Sequence, residues 1–375
     1  MPKLYIQHLQ FIERGNNMPD KNITIADIAR SAQVSKTTVS RYLNGKYEYM
    51  SPQTKERIRS IIELANYQPN NIARSLKSHK STLIGLVIAD IESPFSSAVI
   101  KRIGDCFLNM DYNIITANCD NSYNREIHYL NSLVNQQIDG LIVNTTNRNN
   151  PMIIDLANKG MPIVLLDRFI DNYTLDIVYF QNEHPINNAM EHLVKQGYGT
   201  LHFFVQPYEQ ISPRFLRRDA FIKKLTSLGI ENPVSYVHQI DSMDTEDLKR
   251  QLDTLMQASL KVGAPPAIIA SNGVTLLHMA KAIRSLGLEM PHEVGLCGYD
   301  EWGWETSLGW AGLIDVGLTT LECSTYILGD SIAELLLRRL KRPDEPKVMQ
   351  SIEAPLVIRP STLHGGKPVF PVKAP

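Results

Sequence analysis

From residue 83 to the end of the chain, short apolar runs alternate with helix-length amphipathic stretches, and this pattern constrains the fold more than any other feature. The runs LIGLVIA (83–89), NIITANC (113–119), DGLIVN (139–144), IVLLD (163–167), HFFV (202–205), AIIAS (267–271) and VGLCGY (294–299) read as strands. Helical spacing falls between them, near 96–110, 123–136, 185–196, 216–228, 243–258 and 274–286. Such alternation predicts an α/β body of doubly wound parallel sheets. From residue 83 to 375 this body is too long for one such sheet, so two similar lobes are expected. In these folds ligands sit outside the carboxyl ends of strands. That rule makes Phe95, Ser96, Asn118, Asp120, Asn144, Thr145, Asp167, Arg168, Asn272, Asp300 and Trp302 site candidates, with Arg214 and Arg217 at the start of a helix after HFFV.

The segment before this body has a different character. Net charge over the whole chain is −1, yet residues 24–80 hold ten Lys/Arg against four Asp/Glu. A basic module on an acidic body points to a polyanionic partner. In TIADIARSA, Ile25, Ile28, Ala29 and Ala32 fall on one helix face, with Thr24 as N-cap. Ser35 caps a second helix whose Val39, Tyr42 and Leu43 face inward and whose Lys36, Thr37, Ser40, Arg41 and Asn44 face outward; Gly45 ends it. Ser51-Pro52 opens a third, carrying Ile58, Ile61, Ile62 and Ala65. Two short helices on a tight turn, braced by a third, predict a helix-turn-helix whose second helix reads the major groove. After Pro69, residues 71–78 read as a short helix with only Ile72, Ala73 and Leu76 as its apolar stripe. It is too small to fold alone, and it would order against a partner such as an opened minor groove.

TIADIARSAQVSKTTVSRYLNG, SPQTKERI, LANYQPNNIARSLK and STLIGLVI together resemble the amino-terminal pattern of the lactose/galactose-repressor (LacI/GalR) family of bacterial transcription regulators. The likeness continues through SPF (93–95), QIDGLIV (137–143), PIVLLDR (162–168), HLVKQGY (192–198), ASN (270–272), LGLEMPHEVGLCGYD (286–300) and LTT (318–320). It implies a type I periplasmic-binding-protein fold for the body, with an effector between the lobes. On this division, residues 1–21 are an extension, 22–68 the DNA-binding domain, 69–80 the hinge and 81–375 the effector domain. The implied crossovers near 181, 318 and 342 assign 82–181 and 319–341 to one lobe, and 182–318 and 342–375 to the other. By the resemblance, Lys36, Thr37 and Arg41 read bases, and Leu76 wedges into the minor groove at the operator centre. Thr24, Ser35, Thr38, Ser40, Asn44, Asn70, Ala73 and Lys77 complete the expected DNA-contacting set. Asp167, Arg168, Arg217, Asn272 and Asp300 match the family's effector-contacting positions most closely.

Two positions depart from the family pattern. Gly273 stands where many members have Asp after Asn, and Cys323 where Gln is frequent. Both changes remove polar partners for a neutral sugar, while Arg168, Arg214 and Arg217 bring guanidinium groups that pair well with carboxylate or phosphate. The expected effector is therefore anionic, either a sugar acid of the gluconate or ketogluconate type or a sugar phosphate. Trp302, Trp304 and Trp310 lie in one segment; each suits either a sugar ring or a lobe edge.

An enzyme reading finds no GxGxxG, P-loop, GxSxG or HExxH, and no metal-ligand spacing among the histidines, so no cofactor is expected. The apolar runs are too short to span a bilayer, and the four scattered cysteines suit a reducing cytoplasm. A solute-binding transport protein would share the body but have no use for residues 24–80. A phosphorylated carrier protein acting as corepressor is the other alternative. The expected mechanism is a homodimer on a near-palindromic double-stranded operator, with hinges that fold when docked and an effector that releases the DNA; the opposite coupling is also open. The tail 361–375 carries no heptads for a tetramer. Met18, preceded by Glu13-Arg14-Gly15, is the expected natural start.

Overall fold

The computed structural model describes residues 23–67, 81–108, 110, 112–240, 245–301, 310–314 and 316–367. The chain divides into two compact units with the boundary after Ser81. The hinge segment, Trp302, Trp304 and Met18 lie outside the described residues, and with them the expectations for Asn70, Ala73, Leu76 and Lys77.

Among the described residues the first unit holds three helices, α1 (Ile25–Ser31), α2 (Lys36–Leu43) and α3 (Pro52–Leu64), with a 3-10 turn at Tyr47–Tyr49. Its helix starts follow capping chemistry. Thr24 and Asp27 form a reciprocal capping box, and the Ser35 and Ser51 side chains accept from Thr38 N–H and Thr54 N–H. Ile28, Ala29, Ala32, Val39 and Ile58 are buried together, with Tyr42, Leu43, Ile61 and Ile62 packed around them.

In chain order the second unit runs β1 (Leu83–Ile88), α4 (Pro94–Phe107), β2 (Asn113–Asn118), α5 (Tyr123–Asn135), β3 (Gly140–Val143), α6 (Pro151–Asn158), β4 (Ile163–Leu166) and β5 (Asp176–Phe180). It continues with α7 (Glu183–Lys195), β6 (Thr200–Val205), α8 (Ser212–Ser227), β7 (Val237–Gln239), α9 (Thr245–Ser259), β8 (Pro266–Ala270), α10 (Gly273–Ser285) and β9 (Gly295–Glu301). It ends with α11 (Trp310–Leu313), β10 (Thr319–Glu322), α12 (Thr325–Lys341), β11 (Met349–Ile352) and β12 (Leu356–Val357). Two six-stranded sheets result, ordered β11-β5-β4-β3-β1-β2 and β12-β10-β9-β8-β6-β7. Every pairing is parallel except β10 with β12.

Each sheet is covered on both faces, which is why its central strands are apolar without alternation. In the first sheet, Ile84, Leu86 and Ile88 pack with Val99 and Ile103 of α4 and with Ile332 and Leu336 of α12. On the opposite face, Val87, Leu141 and Val143 meet Leu130 and Leu133 of α5 and Ile153 of α6. The second sheet repeats the arrangement, with Phe203 against Phe221 and Met190 on one side and Ile268 against Leu252, Met279 and Ile283 on the other. At Gly295 a Cβ would collide with the buried Tyr198 ring, so only glycine fits where β9 passes it.

The strand pairings correct the expected lobe boundaries. β10 (319–322) pairs with β9 in the second sheet, and β11 (349–352) pairs with β5 in the first. The chain therefore crosses after β5, after β10 and between β11 and β12, rather than at 318 and 342. The last two crossings are deferred because each lobe borrows an edge element from the chain's end, a swap that local spacing does not encode.

Candidate functional site

A cavity of about 270 Å³ lies between the carboxyl ends of the two sheets. Its size is near the lower end for ligand sites (about 300–1,000 Å³), which suits a monosaccharide-sized guest rather than an oligosaccharide. The first sheet contributes Asp90, Phe95, Ser96, Asn121, Asn144, Asp167 and Arg168, and the second contributes Gln206, Arg214, Arg217, Asn272 and Asp300. Glu92, Ser93, Ile211, Pro213 and Val274 complete the wall.

Asp167 and Asp300 occupy equivalent places in the two lobes, just past β4 and at the end of β9. Both adopt the left-handed backbone region, with φ of 62° and 73°. Asp tolerates that region because its short side chain can bond locally. Asp167 Oδ1 accepts from Phe180 N–H (3.1 Å), and Asp300 Oδ2 accepts from Gly273 N–H (3.0 Å). Two strained acidic corners thus point polar groups into one cleft, a pattern that marks functional sites. Burial pushes the Asp167 carboxyl above the usual carboxylate range, against the opposing pull of Arg217 and of the Phe180 N–H.

The three arginines come from different elements. Arg168, one residue past Asp167, donates to Thr145 O (2.9 Å). Arg217, buried on α8, donates to Asn182 Oδ1 (2.9 Å) and Ser271 O (2.7 Å), and its guanidinium lies 3.6 Å from the Tyr299 ring centroid. Arg214, one turn earlier and half-buried, donates to Pro207 O (2.9 Å). Among the described residues, none of the three forms an ion pair with a carboxylate. Burial, followed by repulsion from Arg168 and Arg217, pushes Arg214 down to about 9, so it stays charged at neutral pH. Three guanidinium groups with spare donors are a ready receptor for an oxyanion.

The acidic side chains are mostly engaged as acceptors. Besides the two aspartates at the strand ends, Asp90 takes the Glu92 N–H and the Asn121 amide. Asn272 caps α10 through Thr275 N–H (2.9 Å) and donates to Gln206 Oε1 (2.9 Å), so cap and lining are one residue. Asn144 lines the cavity while its amide holds Leu166 O (2.8 Å). These carboxylate and amide oxygens keep lone pairs for hydroxyl groups.

Asp120 is a correction. It is exposed, pairs with Arg125 and Asn118, and does not line the cavity; its neighbour Asn121 does. Both residues have positive φ, at 46° and 52°, and this double turn brings the second side chain inward. Asn118 also lies outside the lining and accepts from Ile91 N–H. Sequence reasoning missed Asp90, Gln206 and Asn121, although all three follow apolar runs and the strand-end rule could have included them.

In the first unit, Lys36, Thr37 and Arg41 are exposed on α2. Ser40 is half-buried and so less outward than expected, while Asn44 is exposed with its amide bonded back to Ser40 O (2.7 Å). Thr24, Ser35 and Thr38 are engaged in caps. Tyr47 and Tyr49, overlooked in the sequence, are exposed beside α2; the Arg41 guanidinium lies 4.9 Å from the Tyr49 ring centroid and Lys55 Nζ 3.8 Å from that of Tyr47.

Comparison with known proteins decides the family. Residues 81–359 match the periplasmic binding proteins and sugar binding domain of LacI family, and residues 24–70 match the bacterial regulatory proteins, lacI family. The chain belongs to the LacI family. It is a helix-turn-helix transcriptional regulator of that family, with a two-sheet effector-type domain. The transcriptional regulator KdgR of Bacillus subtilis is 32% identical over 338 residues, covering 90% of this chain and 97% of that protein. The regulator PtxS of Pseudomonas aeruginosa is 31% identical over 350 residues, covering 93% and 98%. A crystal structure of the lac repressor dimer bound to operator and an anti-inducer shares the fold, with a TM-score of 0.76 at 23% identity, covering 92% of this chain and all of that one. Within the family, the two departures have structural counterparts here: Gly273 leaves its N–H to Asp300, and Cys323 is fully buried and does not line the cavity. No described helix is long and apolar enough to cross a membrane.

Proposed function

We propose that this regulator is a repressor that binds a near-palindromic operator as a homodimer and is released by a polyhydroxylated carboxylate, a sugar acid of the gluconate or ketogluconate type, held between its lobes. One observation carries the effector class: Arg168, Arg214 and Arg217 line a single monosaccharide-sized cavity without a carboxylate partner among the described residues. The acid group would sit among the guanidinium groups, and the hydroxyls on Asp90, Asp300, Asn144 and Gln206. Lys36, Thr37 and Arg41 would read base edges, with Leu76 at the operator centre. The switch is binding alone, in the cytoplasm where the operator is, with no catalysed step. The effector shifts a two-state lobe equilibrium by its differential affinity.

The test is a gel-shift assay on DNA upstream of the protein's own gene, with gluconate, ketogluconate, their phosphorylated forms and neutral hexoses. A sugar acid should displace the protein at concentrations where hexoses do nothing. Displacement by a neutral hexose alone would overturn the effector class, and a gel shift that strengthens only when a phosphorylated carrier protein is added would replace the small-molecule switch.

A further inference from the structure

Glu126, on the first turn of α5, is fully buried and does not line the cavity, yet its carboxylate collects four hydrogen bonds from a single loop. Oε1 accepts from the Thr145 hydroxyl (2.7 Å) and from Asn150 Nδ2 (2.9 Å). Oε2 accepts from Thr146 N–H (2.7 Å) and from the Thr146 hydroxyl. All the donors lie on residues 145–150, which connect β3 to α6. A buried charge is normally held by an opposite charge. Here four donors from one short loop surround the carboxylate, which fixes the loop's conformation.

That loop carries the carbonyl that aims a cavity arginine: Thr145 O accepts from Arg168 (2.9 Å). We propose that Glu126 is the positioning residue for Arg168, setting from outside the cavity the place where the effector's acid group is bound. The inference rests on the anionic-effector reading above and adds to it a residue that never touches the ligand. Glutamate is required by the donor pattern. Thr146 N–H and Asn150 Nδ2 reach opposite carboxylate oxygens, and Asn150 is locked in orientation because its Oδ1 accepts the Ile153 N–H that caps α6. In Glu126→Gln, whichever way the amide turns, its NH2 meets a fixed donor, and the loop must move.

The experiment uses the full chain in four forms, wild type, E126Q, R168M and the double variant, titrated calorimetrically with gluconate and its neutral amide; a crystal structure of E126Q accompanies it. The acid should bind E126Q about tenfold more weakly than wild type, while the amide changes by less than about twofold. In the R168M background E126Q should add nothing further. In the crystal, the Arg168 guanidinium should leave Thr145 O. Equal losses on acid and amide, additive losses with R168M, or an Arg168 still bonded to Thr145 O would each overturn the proposal. If wild type binds no sugar acid, the effector reading fails and the crystal structure alone decides the positioning role. Should E126Q not fold, Thr145→Val, which removes one donor and keeps the carbonyl, enters the same cycle with a smaller loss in the same direction.

Discussion

Replacing Arg214 with Met should stabilise the empty protein while weakening its response to effector, two effects of opposite sign from one change. Arg214 is held in a half-buried place near two other guanidinium groups, and among the described residues its hydrogen bond is to Pro207 O (2.9 Å). The depression of its proton affinity to about 9 corresponds to a ceiling of roughly 5 kcal/mol of unfavourable environment. Solvent screening at a half-buried site reduces this to about 2 kcal/mol. The cost is present wherever the group is charged in the folded state, so it acts fully at pH 7 and is relieved only as pH rises through about 9. Met retains the stem packing and gives up one hydrogen bond worth about 1 kcal/mol. The net gain of about 1 kcal/mol should raise Tm by about 2–4 °C for a unit of this size. On the proposed function the same residue would supply charge-assisted bonds to a bound acid, and losing them should weaken a sugar acid about 10–100-fold. Scanning calorimetry reads both effects: at an acid concentration about 100 times the wild-type Kd, wild type gains about 2.7 kcal/mol and the variant only about 0.4–1.4. A variant that melts lower than wild type without ligand, or that is stabilised by the acid as much as wild type, would refute the electrostatic argument.

Arg41→Ala should cost about 1–3 kcal/mol on the specific operator and little on random DNA, measured by fluorescence anisotropy; an equal loss on both would make it a phosphate contact. Tyr49→Ala should act in the same direction by about 0.5–1 kcal/mol, because its ring orients the Arg41 guanidinium. Arg339→Ala should lower stability by about 3–5 kcal/mol in urea unfolding, since it strands the buried Asp176 and frees the Pro343, Glu345 and Pro346 carbonyls. His202 and His238 share a 2.9 Å contact, and burial pushes them down to about 3 and about 4. Their folded values lie below the unfolded one of about 6.5, so they contribute stability above that pH and lose it as pH falls toward 4. His238→Phe should therefore lose less stability than wild type between pH 7 and 4.5; identical pH profiles would contradict this.

Much of the candidate site could be read from residues alone because it obeys a local rule: polar groups directly after an apolar strand lie at a sheet's carboxyl edge. Arg168, Asn272 and Asp300 follow from that rule, and Arg217 from its place on the helix after HFFV. Asp120 fails it because two consecutive left-handed residues exchange which side chain turns inward. Strand β5, opened by a buried aspartate, and helices α6 and α12 were not anticipated, nor was β10, whose threonines lack a clear apolar run.

The module with its caps, the αβ alternation and the basic-to-acidic division are legible from residues alone, because periodicity, capping and charge are properties of neighbours in the chain. Which strand joins which sheet is settled in space, since β11 returns to β5 of the first sheet and β12 to β10 of the second. Tertiary structure also turned three separated arginines into one cavity and tied Glu126 to Arg168 through a loop 19 to 24 residues away in sequence. Charge repulsion and buried hydrogen bonding depend on distance in space, and sequence spacing carries no record of that distance once the chain has crossed between sheets.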